Sequence, residues 1–224
     1  MKHWNVYERL WFSLFTIAAI VLAIIQKDSL LGLSAFITGI LCVLLAAKGK
    51  IMTYVFGMYN TIAYAYISYT NGFYGEMALN LLFFVPMNVL GFLFWKRRLK
   101  NDIVEMRRLS INEVGLLMLI CAITTVILGW LLALNKDQNT PYIDATTNVL
   151  SIAATLLMIW RYREQWMLYI ILNIFTIIMW IIRTVQGSSD GIMMIIMWTA
   201  FLTNAFYGYY LWTKRTSKQQ TAVA

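Results

Sequence analysis

Charge is scarce in this chain. Of its 224 residues only 12% are charged, while 61% are apolar or aromatic. A soluble domain carries about 25% charged and about 45–50% apolar residues. A water-soluble fold of this composition would have to display its apolar surplus, so soluble and disordered classes are excluded. Cysteine is almost missing. Cys42 and Cys121 both lie inside apolar runs, which excludes a disulfide scaffold and marks them as small packing residues. The single histidine is His3. There is no His-Glu-x-x-His motif for an intramembrane metalloprotease and no embedded histidine for a serine protease, so no catalytic residue, metal site or cofactor is expected. Carboxylates are missing from the middle of the apolar runs. Asp144, Glu164, Glu76 and Asp190 all fall near a run's end, whereas proton-coupled carriers place titratable groups in the membrane interior.

What is present is a series of apolar runs of membrane-spanning length, which needs about 20 residues. Eight qualify or nearly so: 10–26, 30–47, 51–69, 77–95, 114–134, 142–160, 166–182 and 192–212. They are apolar all round, without the alternation of a barrel strand, so they are expected to be helices. The first is preceded by Lys2 and Arg9, but no small-x-small cleavage site follows it, and a retained anchor is expected.

The formal charge of +8 does not point to nucleic acid, because the basic residues sit between the apolar runs. There they read as topology determinants and lipid-headgroup contacts. Fifteen of the eighteen Lys and Arg fall in alternate connections, including Lys48, Lys50 and the cluster from Lys96 to Arg108. Lys27, Lys136 and Arg183 are the three on the other side. This asymmetry implies eight spans with both termini cytoplasmic, in a multi-pass protein of the cytoplasmic membrane.

Two segments look alike. Residues 30–97 form three spans ending Gly91-Phe-Leu-Phe-Trp95-Lys-Arg, and residues 142–214 form three ending Gly208-Tyr-Tyr-Leu-Trp212-Thr-Lys. Each middle span carries an asparagine, Asn60 or Asn173, and each is followed by a glycine-containing turn, 71–75 or 186–191. One span lies between the triplets, so both run in the same direction. Two readings stand: a parallel repeat, as in transporters, or the common chemistry of packing glycines, interfacial tryptophans and inside charges. The expected organisation is an anchor helix (1–29), a first repeat (30–98), a basic loop and linker helix (99–141), a second repeat (142–215) and a tail (216–224).

The polar groups expected at membrane depth are neutral. Asn60, Asn88, Asn173 and Asn204, with Trp180, Trp198 and Tyr207, offer amide donors and acceptors and flat aromatic faces. As a set they suit a planar, hydroxyl-bearing ligand that is neutral or singly charged. Each taken alone is read equally well as a bond between helices. Trp95, Trp160, Trp166 and Trp212 fall at cytoplasmic ends and Trp130 near an outer end, as an aromatic belt would place them. Pro86 interrupts the fourth span and marks a kink and a candidate gating position.

The stretch from Gly39-Ile-Leu-Cys42 through Lys50, Tyr54, Phe56-Gly57 and Asn60 resembles the first repeat of the nicotinamide riboside (PnuC-type) vitamin transporter family. Asp144-Ala-Thr-Thr-Asn-Val-Leu-Ser151-Ile-Ala-Ala154, continuing through Met158, Arg161-Tyr-Arg-Glu164, Trp166 and Asn173 to Gly208 and Trp212, is similar to the second. The similarity covers about residues 30–215 and is weak in the first helix and in 96–110. It implies an all-α integral membrane fold of one N-terminal helix plus a 3+1+3 core, like full-length SWEET-type transporters, assembled as a homotrimer. It also implies facilitated diffusion of a vitamin precursor, trapped by a cytosolic kinase that is a functional partner. Matching binding positions are Asn60, Asn88 and Asn173; Trp180, Trp198, Asn204 and Tyr207 are added from their depth. One departure concerns the substrate. Where family members carry Trp-Tyr-x-Trp, this chain has Phe92-Leu-Phe-Trp95. Thiamine, riboflavin or a deoxynucleoside is therefore the alternative to nicotinamide riboside, and a non-transporting membrane scaffold or sensor subunit is a third reading.

Overall fold

The computed structural model describes residues 4–26, 29–70, 74–134, 140–185 and 191–221. The turns 71–73 and 186–190, together with Lys27, Lys136 and His3, which carried part of the sequence reading, lie outside the described residues. The chain divides into two compact units, residues 1–105 and 106–224.

The first unit opens with α1, Val6–Gln26. Its start is capped reciprocally: the Asn5 N–H donates to Glu8 Oε2 at 3.0 Å and the Glu8 N–H to Asn5 Oδ1 at 2.8 Å. These bonds supply acceptors for two backbone N–H groups that the first helical turn otherwise leaves open. Ser29 caps α2, Leu30–Ala47, by accepting from the Gly32 N–H. This helix ends at Gly49, whose φ of 67° is a left-handed conformation that glycine adopts without strain. α3, Met52–Thr70, follows, then α4, Tyr74–Leu79, which passes through a π-helical stretch, Asn80–Phe84, into α5, Val85–Lys96. The unit closes in a hairpin, β1 Leu99–Lys100 against β2 Ile103–Val104, turned by Asn101 and Asp102 at positive φ. Both turn residues are types that tolerate this conformation. The Val104 N–H donates to the Gly49 carbonyl at 2.9 Å, fastening the hairpin to the α2–α3 turn.

The second unit contains α6 Ile111–Ala133, α7 Pro141–Ile159, α8 Gln165–Val185 and α9 Gly191–Thr221. Ser110 and Glu113 form a capping box at the start of α6, and Pro141 opens α7, where its missing N–H has no helical partner to lose. A core of Cys121, Val149, Leu150, Ala154, Leu157, Leu168 and Leu172 joins α6, α7 and α8. The segment before α6 is clipped to the α7–α8 turn. Arg107 exchanges backbone hydrogen bonds with Arg161 and Arg163, and the Leu109 N–H donates to Glu164 Oε2 at 3.0 Å.

Among the described residues, six helical segments are long and apolar enough to cross a bilayer: Val6–Ile25, Leu30–Ala47, Met77–Lys96, Ile111–Ala133, Pro141–Ile159 and Gln165–Val185. α3 lies outside that set, its length interrupted by Tyr54, Tyr59, Tyr64, Tyr66 and Tyr69, as does α9. The chain is thus an all-helical membrane protein.

Two expectations from sequence need correction. Trp95, Trp166 and Trp212 are not belt residues: they are 0%, 3% and 0% exposed, packed inside their units, whereas Trp130 and Trp160 are exposed. Nor is Lys48 a headgroup contact. Its Nζ is buried 2.6 Å from Glu8 Oε2 on α1 and lies over the Trp4 ring. In both cases a helix end that the apolar pattern places at the interface is covered by a neighbouring helix.

Candidate functional site

The two units share local geometry. Lys48, Gly49 and Lys50 bond back onto α2, and Trp160, Arg161 and Tyr162 bond back onto α7 in the same pattern, with Arg161 at a φ of 68°. One turn further on, Tyr54 packs edge-on against Trp95 at 5.0 Å and Trp166 against Trp212 at 6.2 Å. Each pair depends on a glycine four residues before the tryptophan. A Cβ on Gly91 would collide with the Tyr54 ring, and one on Gly208 would lie 2.6 Å from Trp166 ring atoms. The register that carries Gly49 onto Arg161 and Tyr54 onto Trp166 carries Thr61, not Asn60, onto Asn173. The two asparagines therefore face about 100° apart on otherwise matching helices.

The candidate residues of the first unit join helices. Asn60 Nδ2 donates to the Ala35 carbonyl on α2 at 2.6 Å, beside Gly39, where a Cβ would stand 3.0 Å from that nitrogen. Asn88 Nδ2 donates to Thr61 Oγ1 at 3.2 Å and to the Phe84 carbonyl at 2.9 Å, with Gly57 giving room for its Oδ1. Asn88 thus ties α5 to α3 just beyond the π-helical stretch. There the Val85 N–H reaches Asn80 O five residues back, and Pro86 supplies no donor to the following turn.

The second unit holds the other five candidates. Asn173 is buried on α8 one turn from Thr176, whose hydroxyl is already spent on the Leu172 carbonyl at 2.9 Å. Asn204 on α9 is 1% exposed, and Tyr207, one turn on, is half-buried. Trp198 packs edge-on against Phe201 at 5.5 Å and against the α6–α8 core, with its indole Nε1 buried and without a hydrogen-bond partner. Trp180 lies nearer the end of α8, with the Arg183 guanidinium 5.1 Å from its ring centre. Arg183 Nη2 in turn lies 3.5 Å from Asp144 Oδ1.

Sequence reasoning passed over Gln165. It is fully buried at the start of α8, and neither its Nε2 nor its Oε1 has a hydrogen-bond partner. Its counterpart in the first unit is Thr53, equally buried, whose hydroxyl donates to the Cys42 carbonyl at 2.9 Å. A glutamine one residue from a helix start reads as an interface residue, so nothing in the sequence separated it. Among the described residues no group of three His, Cys, Asp or Glu side chains comes together.

Apolar helices of spanning length, with neutral amides and indoles buried in the mainly apolar interior of each unit, define a polytopic helical membrane protein. The chain belongs to the nicotinamide mononucleotide transporter family, whose model matches residues 29–214. It is 37% identical to the nicotinamide riboside transporter PnuC of Neisseria mucosa over 94% of this chain and 82% of that protein. It is 34% identical to the PnuC of Haemophilus influenzae, over 94% and 91%. A crystal structure of the vitamin B3 transporter PnuC superposes with a TM-score of 0.81 at 36% identity, covering 97% of this chain and 95% of the other.

Proposed function

We propose that this chain is a uniporter for nicotinamide riboside, carrying no enzymatic activity of its own. The reading takes its substrate from the close relatives that transport this riboside. One observation on this chain carries it: its described charges lie at helix ends and in the turns, leaving neutral amides and indoles within. Glu8 is paired with Lys48, Glu164 with Arg163, and Asp144 with Arg183. Each of these carboxylates is in the first turn of a helix or just before one, not midway along it. A midmembrane carboxylate is the usual means of coupling transport to protons. Without one, direction comes from consumption of the product, here by a cytosolic kinase that adds a phosphate and traps the riboside.

The same chemistry favours riboside over mononucleotide. A phosphate ester carries up to two negative charges, and burying those requires paired cations. Lys48 is already engaged by a carboxylate, and Lys214 and Arg215 lie towards the far end of α9. The riboside carries one delocalised positive charge on its ring and no phosphate. It asks for hydrogen bonds to its carboxamide and hydroxyls and an aromatic face for its cationic ring, which Asn173, Asn204, Tyr207, Trp180 and Trp198 supply by type. Asn60 and Asn88 take part through the helix positions they fix.

The proposed architecture is eight spans with both termini cytoplasmic, two three-helix repeats (30–98 and 142–215) of SWEET-like arrangement after the anchor helix 1–29, and a homotrimer. The matching Tyr54–Gly91–Trp95 and Trp166–Gly208–Trp212 packing supports the repeat. A different planar vitamin is the second reading, carried by Phe92-Leu93-Phe94-Trp95. Of these four only Trp95 is fully buried, so three positions are open to change without loss of the core. Calorimetric titration of the detergent-purified protein with nicotinamide riboside, the mononucleotide, thiamine, riboflavin and thymidine separates these readings. Saturable binding of the riboside above all others is expected. Preference for another member reassigns the substrate, and binding of none contradicts transport of this class.

A further inference from the structure

The polar residues of the second unit form two stripes. On α7, Asp144, Asn148 and Ser151 recur at i, i+4 and i+7; on α8, Asn173, Thr176, Trp180 and Arg183 recur at i, i+3, i+7 and i+10. Such spacing puts each set on one helix face. Both stripes run to the same end of the unit, the end of α8 and the start of α7, and there they meet. Arg183 Nη2 stands 3.5 Å from Asp144 Oδ1, and the guanidinium lies over the Trp180 indole at 5.1 Å. The other carboxylate oxygen accepts from Thr140 Oγ1 at 3.3 Å. A planar cation thus rests on an aromatic face with a carboxylate beside it, at the head of a polar stripe leading to buried Asn173.

Nicotinamide riboside is itself a planar cation, because ribosylation of the ring nitrogen makes the ring a pyridinium. An indole face and an adjacent carboxylate meet the same two demands in a guanidinium and a pyridinium: charge compensation and stacking. We propose that Asp144 and Trp180 form an entry site for a planar organic cation, and that Arg183 is its resident placeholder, displaced when the substrate ring arrives. This inference rests on the riboside reading above. The Arg183 side is suited to exchange: its side chain is 40% exposed against 16% for Asp144, and its 3.5 Å contact with the carboxylate is long, so the guanidinium is weakly held. The site also selects. A phosphate dianion is repelled by Asp144, and a neutral ring gains nothing from the carboxylate.

The test compares uptake of nicotinamide riboside with uptake of its neutral 1,4-dihydro form in proteoliposomes holding the wild-type chain, Asp144→Asn or Arg183→Met. Asp144→Asn is expected to lower the preference for the cation, taken as the ratio of kcat/KM values, by roughly fivefold. Arg183→Met, which removes the competing cation, is expected to raise it by a similar factor. Equal effects on both substrates, no effect on either, or a fall in preference with Arg183→Met would overturn the proposal. A competition on the wild-type protein needs no variant to fold: the N-methylnicotinamide cation should inhibit riboside uptake well below the concentration at which neutral nicotinamide does, and equal potency would contradict the site. Absence of wild-type uptake of either riboside would instead defeat the transport reading.

Discussion

Gly91 and Gly208 each hold open a space that an aromatic ring fills. Alanine at either position puts a methyl group into the ring of Tyr54 or Trp166. Overpacking of this kind costs about 1–3 kcal/mol, read as a lower melting temperature of the purified protein. Gly115→Ala is the control, because nothing lies within 4 Å of its added Cβ, and it should be neutral or stabilising. Lys48 gives a second prediction. Its ammonium and the Glu8 carboxylate are both buried, with side-chain exposures of 9% and 4%. Lys48→Met strands a buried carboxylate and should cost about 3–5 kcal/mol, while adding Glu8→Gln should recover much of the loss. Thermal unfolding of the two single variants and the double variant checks this cycle. At this scale the sequence was only partly legible. Gly-x-x-x-Trp marked two alike helix ends, but Tyr54 and Trp166, which those glycines accommodate, come from other helices at long sequence separation. Asn60 and Asn173 invited equivalence because each is the asparagine of a middle helix; the turn geometry sets them one residue out of register.

Elements show where apolar pattern suffices and where it does not. The long runs gave the helices within a few residues, since a continuous apolar stretch of that length has no other stable backbone in a bilayer. The exception is α9, which continues to Thr221 beyond the apolar run ending at 212. Pro86 flagged an irregularity, and the helix does change hydrogen-bond register just before it, across Asn80–Phe84. That the change is π-helical was not readable, because an extra residue in the turn depends on which side chains the neighbouring helix accepts. Replacing Pro86 with alanine restores a backbone donor where the ring had none. The variant should be at least as stable as wild type, bind the riboside with unchanged affinity and transport it more slowly, if this turn flexes during exchange. Paired titration and initial-rate uptake measure that split. Wild-type rates would leave Pro86 a purely structural residue. The hairpin 99–104 was passed over inside a stretch read as a basic loop, although Asn101-Asp102 carries the composition of a tight two-residue turn.

For the whole molecule, the decisive feature is where charge sits. The described carboxylates lie at helix ends or in turns, where Glu8, Glu164 and Asp144 pair with Lys48, Arg163 and Arg183, and neutral polar groups lie along α7, α8 and α9. A chain built this way can recognise a small planar solute, and among its described residues no carboxylate stands midway along a spanning helix to carry a coupling proton. The central claim is therefore uniport, and equilibrium accumulation tests it most directly. In sealed proteoliposomes without a kinase, labelled nicotinamide riboside should enter until internal and external concentrations are equal. For this cation that level should follow the membrane potential alone, and be indifferent to imposed proton or sodium concentration gradients at zero potential. Enclosing a riboside kinase with ATP should then convert equilibration into continued uptake. Accumulation above the external concentration at zero potential, driven by a proton or sodium gradient and without the kinase, would contradict the account.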